Sequence, residues 1–83
     1  MTEDLKLKEA FILTGAIIRK KREEQSISIQ KLANELGMSI ARLESIEDGA
    51  YLDITISELI LISGKLNMSL NEIFIDFPQH KHY

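Results

Sequence analysis

The chain has 83 residues with a formal net charge of −3, and 45% of its residues are hydrophobic. This length supports one small hydrophobic core and is too short for two, so we expect a single domain. The chain contains no cysteine, which excludes disulfides, cysteine-ligated metals and a thiol nucleophile.

The acidic start of the chain lacks the positive charge of a secretion signal, and no apolar run approaches the ~20 residues that span a bilayer. We therefore expect a cytoplasmic protein without membrane contact. The first predicted helix runs from about Asp4 to Glu24, with Leu7, Phe11 and Ile18 at helical spacing. Further apolar residues between 12 and 17 widen this stripe, which indicates that the helix is covered on two sides.

Charge is unevenly distributed along the chain. Residues 1–31 contain seven basic and five acidic residues, whereas residues 32–83 contain three basic and eight acidic ones. The only dense basic run, Arg19-Lys20-Lys21-Arg22, lies near the end of the first helix. This run is either a solvated helix face or a surface that contacts phosphate.

Two short helices are predicted next, each opened by a serine. Ser28 is a suitable N-cap for a helix over 29–36, and Ser39 for a helix over 40–47. Gly37 lies between them and supplies the left-handed conformation that other residues resist.

Capping boxes open the last two predicted helices. The box at 55–58 begins a fourth helix that extends to about Leu66, and the box at 69–72 begins a fifth that extends to about Ile75. We expect residues 1–77 to form the domain and 78–83 to form a flexible tail. The only histidines, His80 and His82, lie in this tail without a third ligand, so we expect no metal and no cofactor.

The segment 29–48 meets the steric demands of two helices that cross at a tight turn. A small residue, Ala33, stands where the second helix crosses the first, and Gly37 makes the turn. Apolar side chains at the remaining positions face the core or fill the junction: Leu32, Leu36, Met38, Leu43 and Ile46.

This region resembles the helix-turn-helix of the Cro and phage-repressor type, also called the XRE family, over about residues 15–74. The resemblance includes Gly15, Ile18-Arg19 and Arg22, Leu32-Ala33, Gly37, Ile46-Glu47, Gly49, Leu66-Asn67-Met68-Ser69 and Ile73-Phe74. It implies an all-α, five-helix lambda-repressor-like fold with the helix-turn-helix motif at 29–48. It also implies a structural ion pair between Arg22 and Glu47.

The same resemblance implies that the third helix enters the major groove of double-stranded DNA with its N-terminus first. The chain departs from the family where Ile29, Ile40 and Ala41 replace common glutamines. Apolar side chains can contact a thymine methyl but cannot make bidentate base contacts, and the two isoleucines are either DNA contacts or packing residues. The expected DNA-binding residues are Ser28, Gln30, Lys31, Ser39, Ile40, Ala41, Arg42 and Ser45.

Apolar residues of the last helix and tail, together with the broad face of the first helix, indicate a symmetric dimer interface. The alternative is that these residues cover the first helix within one chain. The expected interface residues are Phe11, Ile73, Phe74, Ile75 and Phe77.

The sequence leaves three hypotheses for the function, and it does not support them equally. The leading hypothesis is a DNA-binding transcription regulator of the repressor, controller or antitoxin type, acting as a homodimer on a palindromic site. The alternative is a protein-interaction module on the same scaffold, with a toxin or a second regulator as partner. An enzyme is disfavoured because no nucleophile, base and orienting group come together.

Overall fold

The computed structural model describes the backbone of residues 2–50 and 54–73, with side chains from residue 8 onward. In these ranges the chain forms five helices and no strand, as the sequence predicted. None of the described helices is both long enough and apolar enough to cross a membrane. The helices are α1 (Thr2–Glu24), α2 (Ile29–Leu36), α3 (Ile40–Asp48), α4 (Ile56–Leu66) and α5 (Leu70–Ile73).

Local capping explains why the short helices begin where they do. The Ser28 hydroxyl accepts from the backbone N–H of Lys31, and the Ser39 hydroxyl accepts from that of Arg42, each at 3.0 Å. α4 opens with the complete capping box of Thr55 and Glu58. The expected extension of α5 to residue 75 and the tail at 78–83 lie outside the described residues.

The core is built from all five helices. α1 packs against α3, α4 and α5. α2 packs against α3 and α4, and α4 also packs against α5. The largest fully buried side chains lie at the centre of this arrangement: Ile18, Leu32, Leu43, Ile62, Leu66 and Ile73.

Two glycines allow α1 and the end of α3 to approach closely. A Cβ atom at Gly15 would collide with the backbone carbonyl oxygens of Ile46 and Glu47. Gly49 ends α3 in the left-handed conformation at φ 66°, and a Cβ there would lie 2.6 Å from the Cα of Ile12. The α1–α3 contact therefore requires the absence of a side chain at both positions.

The contact between α1 and α5 corrects one sequence-based prediction. Ile73 was expected at a dimer interface, but its side chain is 0% exposed within the single chain. Its carbonyl oxygen accepts a hydrogen bond from the buried Thr14 hydroxyl at 3.1 Å, so α5 is held against α1. Phe11 is half-buried, and Phe74, Ile75 and Phe77 lie outside the described residues.

Candidate nucleic-acid interface

Helices α2 and α3 cross at Gly37 with their apolar faces in the core. Gly37 has φ 71°, and the next residue, Met38, donates its backbone N–H to the Ala33 carbonyl at 3.0 Å. Ala33 and Leu43 are both buried, and Met38 packs against the core. The start of α3 is thereby left on the surface.

The first turns of α2 and α3 border the same open groove, whose volume is about 700 Å³. Five of the eight expected DNA-binding residues line it, together with Asn34, Met38 and the small buried Ala33. The five are Ser28, Gln30, Lys31, Ser39 and Ile40.

The first exposed residues of α3 have small or apolar side chains. Ile40 is 39% exposed, and Ala41 beside it is also exposed. The Ser45 hydroxyl donates to the Ala41 carbonyl at 2.9 Å, so its hydrogen bond stays within the helix. Ile29 differs from Ile40 because it is half-buried and packs against the core.

Arg42 forms a bidentate ion pair that sequence reasoning missed. Its Nε donates to Glu58 Oε2 at 2.9 Å, and its Nη2 donates to Glu58 Oε1 at 2.8 Å. These hydrogen bonds lower the pKa of Glu58 to about 2. Two signals were present in the sequence: a cation in the first turn of a helix, where the helix dipole disfavours it, and a glutamate in a nearby capping box.

Comparisons with known proteins agree with this geometry. The family model described as helix-turn-helix matches residues 18–73. The chain belongs to the helix-turn-helix family of the XRE type. This assignment confirms the predicted family and its lambda-repressor-like fold.

Two relatives align with this XRE-family chain over most of its length. The "ImmF control region 10 kDa protein" of Bacillus phage phi105 is 40% identical over 57 residues, which are 69% of this chain and 62% of that protein. The "HTH-type transcriptional regulator SlrR" of Bacillus subtilis (strain 168) is 36% identical over 62 residues, which are 75% of this chain and 41% of that protein. The aligned part of this chain thus spans less than two thirds of either relative.

Arg22 and Glu47, the pair implied by the family resemblance, are in contact in this helix-turn-helix domain. Arg22 Nε donates to Glu47 Oε2 at 2.7 Å, and Arg22 Nη2 donates to Oε1 at 3.0 Å. Arg22 Nη1 also donates to the Ile27 carbonyl at 2.9 Å. The hydrogen bonds to Glu47 raise the pKa of Arg22, and they fasten α1 to the end of α3.

The rest of the basic run is also largely occupied within the domain. Arg19 Nε donates to Glu47 Oε1 at 3.3 Å, and its Nη2 pairs with the exposed Asp48. Lys21 Nζ lies 3.4 Å from a carboxylate oxygen of Glu72. Three of the four cations of the run therefore pair with acids of other helices, and two of these three, Arg19 and Lys21, are still more than a third exposed.

Within residues 2–50 and 54–73, no cluster of three or more histidine, aspartate or glutamate residues could hold a metal ion. His80 and His82 lie outside these ranges.

Proposed function

We propose that this XRE-family chain is a sequence-specific DNA-binding transcription regulator that acts in the cytoplasm and inserts the start of α3 into the major groove. The observation that carries the proposal is the exposed first turn of α3 beside that of α2, on a scaffold that buries the opposite faces. The names of the two relatives, a control-region protein and a transcriptional regulator, support a regulator rather than an enzyme.

The groove between α2 and α3 suits the two kinds of contact that DNA recognition needs. Ser28, Gln30 and Lys31 lie at the N-terminus of α2, where free N–H groups and the helix dipole favour a phosphate. Ile40 and Ala41 present methyl groups that can contact thymine, and Ser39 and Ser45 flank them. In this proposal the α2 residues position the domain and the α3 residues read bases.

Ala41→Asp tests whether α3 reads DNA. The variant places a negative charge on the proposed contact surface, and we expect it to weaken binding by roughly tenfold or more. Folding should persist because an acidic residue in the first turn of a helix is favourable. The target is a duplex selected by the wild-type protein from a random pool, and binding is measured by fluorescence anisotropy.

Asn71→Asp is the matched control for this experiment. Asn71 is the second residue of α5 as Ala41 is of α3, both are exposed, and both changes add one negative charge. α5 packs on α1 and α4, away from the α2–α3 groove. Equal losses of affinity in the two variants would contradict the proposed role of α3.

We further propose that the regulator binds a palindromic site as a two-fold homodimer. With Ile73 buried, the apolar surface of α1 around Ile12 and Leu13 is the contact we propose, because both side chains are exposed. Leu13→Glu should then convert a dimer into a monomer in sedimentation equilibrium. Ile60→Glu, which changes an equally exposed apolar residue on α4, should leave the mass unchanged.

The exposed Ile40 also supports a second candidate, a module that binds another protein through the same groove. An apolar residue in this position suits a protein partner as well as it suits a thymine methyl. Binding to DNA should weaken steeply as salt rises because phosphate contacts release counterions. A pool selection that enriches no duplex, combined with salt-insensitive binding to a protein, would favour this candidate.

A further inference from the structure

The Arg42 guanidinium lies on the helix proposed to enter DNA, yet it is directed to a carboxylate of another helix. Arg42 is the third residue of α3, and its side chain is 25% exposed. Its partner, Glu58 of α4, is 21% exposed, so the pair is largely shielded from solvent. Two parallel N–H donors meet two carboxylate oxygens at 2.9 and 2.8 Å.

The carboxylate is held in this position independently of the arginine. Glu58 Oε1 accepts from the backbone N–H of Thr55 at 2.9 Å, and the Glu58 N–H donates to the Thr55 hydroxyl at 3.0 Å. This reciprocal arrangement is the capping box that begins α4. Glu58 therefore offers Arg42 a partner whose orientation is already fixed by its own helix.

A fixed carboxylate and a DNA phosphate compete for the same edge of a guanidinium. Both bind it through two parallel hydrogen bonds of the same geometry. A phosphate contact carries no sequence information, because every DNA presents phosphates. An Arg42 whose Nε and Nη2 stay on Glu58 contributes less to the affinity for arbitrary DNA and leaves recognition to its neighbours on α3.

We propose that Glu58 withholds Arg42 from DNA phosphates and thereby determines how strongly the domain discriminates between its target and other DNA. The inference rests on the proposed DNA-binding function. It assigns a specificity-determining role to a residue on α4, outside the helix-turn-helix motif. Glu58 acts through Arg42 and is a positioning residue.

Glu58→Gln tests this role because glutamine also serves in a capping box while its charge is lost. Without the carboxylate charge, Arg42 should exchange its contact with residue 58 for one phosphate contact. We expect the affinity for a non-target duplex at low salt to rise about threefold to tenfold, and the slope of log K against log salt to steepen by about 0.9. The ratio of target to non-target affinity should fall.

Glu72→Gln is the matched control. Glu72 occupies the corresponding position of the capping box at the start of α5, where its carboxylate accepts from the Ser69 N–H at 3.0 Å. The variant removes the same charge, but this carboxylate contacts Lys21 of α1, and α5 packs on α1 and α4 rather than beside the α2–α3 groove. Its salt slope should match the wild type. A double variant, Glu58→Gln with Arg42→Gln, should lose the gain in non-target affinity.

The possible outcomes distinguish a failure of this inference from a failure of the proposed DNA-binding function. Wild-type binding to DNA with the same salt slope in Glu58→Gln and Glu72→Gln would overturn the inference alone. A gain that persists in the double variant would also overturn it, because the gain would not come from Arg42. Failure of the wild type and Glu58→Gln to bind any duplex would contradict the proposed function and the inference together.

Discussion

The pairs Arg22–Glu47 and Arg42–Glu58 each join α3 to another helix, and they differ in what else supports the carboxylate. Glu47 has a side chain that is 0% exposed, and its hydrogen-bond donors are Arg22 and Arg19. Glu58 is partly exposed and also accepts from the Thr55 N–H of its own helix. We infer that the Arg22–Glu47 pair stabilises the fold because its carboxylate is buried. The Arg42–Glu58 pair positions Arg42, because Thr55 also supports its carboxylate.

The largest expected effect is the contrast between Arg22→Ala and Arg42→Ala. Loss of Arg22 leaves the buried Glu47 with only the longer contact to Arg19, and we expect the free energy of unfolding to fall by about 3–5 kcal/mol. Loss of Arg42 leaves Glu58 supported by Thr55 and accessible to water, and about 1 kcal/mol should be lost. Urea unfolding followed by circular dichroism at pH 7 measures both. Equal losses would refute the distinction between the two pairs.

Two helical glycines test the close approach at the Glu47 side of α3. Gly15→Ala places a methyl group against the carbonyls of Ile46 and Glu47, so α1 must shift, and we expect a loss of about 1–3 kcal/mol. A Cβ at Gly64 in α4 would meet no atom within 4 Å. Gly64→Ala should therefore stabilise the domain by about 1 kcal/mol through helix propensity. Thermal melting of both variants should show shifts of opposite sign, and shifts of the same sign would contradict the described packing.

The smallest expected effect is the pH dependence that the Glu58 pair contributes. The pKa of Glu58 is lowered to about 2 in the folded chain, chiefly by the Arg42 hydrogen bonds, from an ordinary value of 4.5. The unfolded chain therefore binds this proton first as pH falls. The stabilisation is complete above the unfolded pKa and is lost as pH falls from about 5 to 2.

Comparison with Glu58→Gln isolates this contribution. We expect the wild type to lose about 0.5–1 kcal/mol more than the variant over that interval, because partial exposure to solvent weakens the pair. Urea midpoints at a series of pH values provide the measurement. Parallel curves would show that the pair does not form in solution.

The helix boundaries were predictable because their causes are local. Ser28, Ser39 and the two capping boxes bond to backbone groups three residues away, so the pattern is visible in the sequence. Gly37 was predictable for the same reason, since a left-handed residue between two short helices favours glycine. The first helix begins at Thr2 rather than Asp4, and α3 ends at Asp48, one residue later than predicted.

The partners of Arg42 and the burial of Ile73 were not predictable from local patterns. Arg42 and Glu58 are 16 positions apart and lie on different helices, so their contact depends on the tertiary fold. Ile73 reads as one apolar residue among several at the end of the chain. The docking of α5 on α1 and α4 removes it from the surface, so Ile73 is not available for the expected interface. The expected DNA contacts of α2 and α3 remain predictions.

The hydrogen bond from Thr14 to Ile73 joins positions 59 residues apart. This bond can form, and the core can be completed, only after residue 73 has been synthesised. The surface of α1 that α5 covers therefore stays exposed until α5 has been made. A contact between positions so far apart in the sequence raises the contact order. We therefore expect slower folding than in helical bundles whose contacts are mostly local.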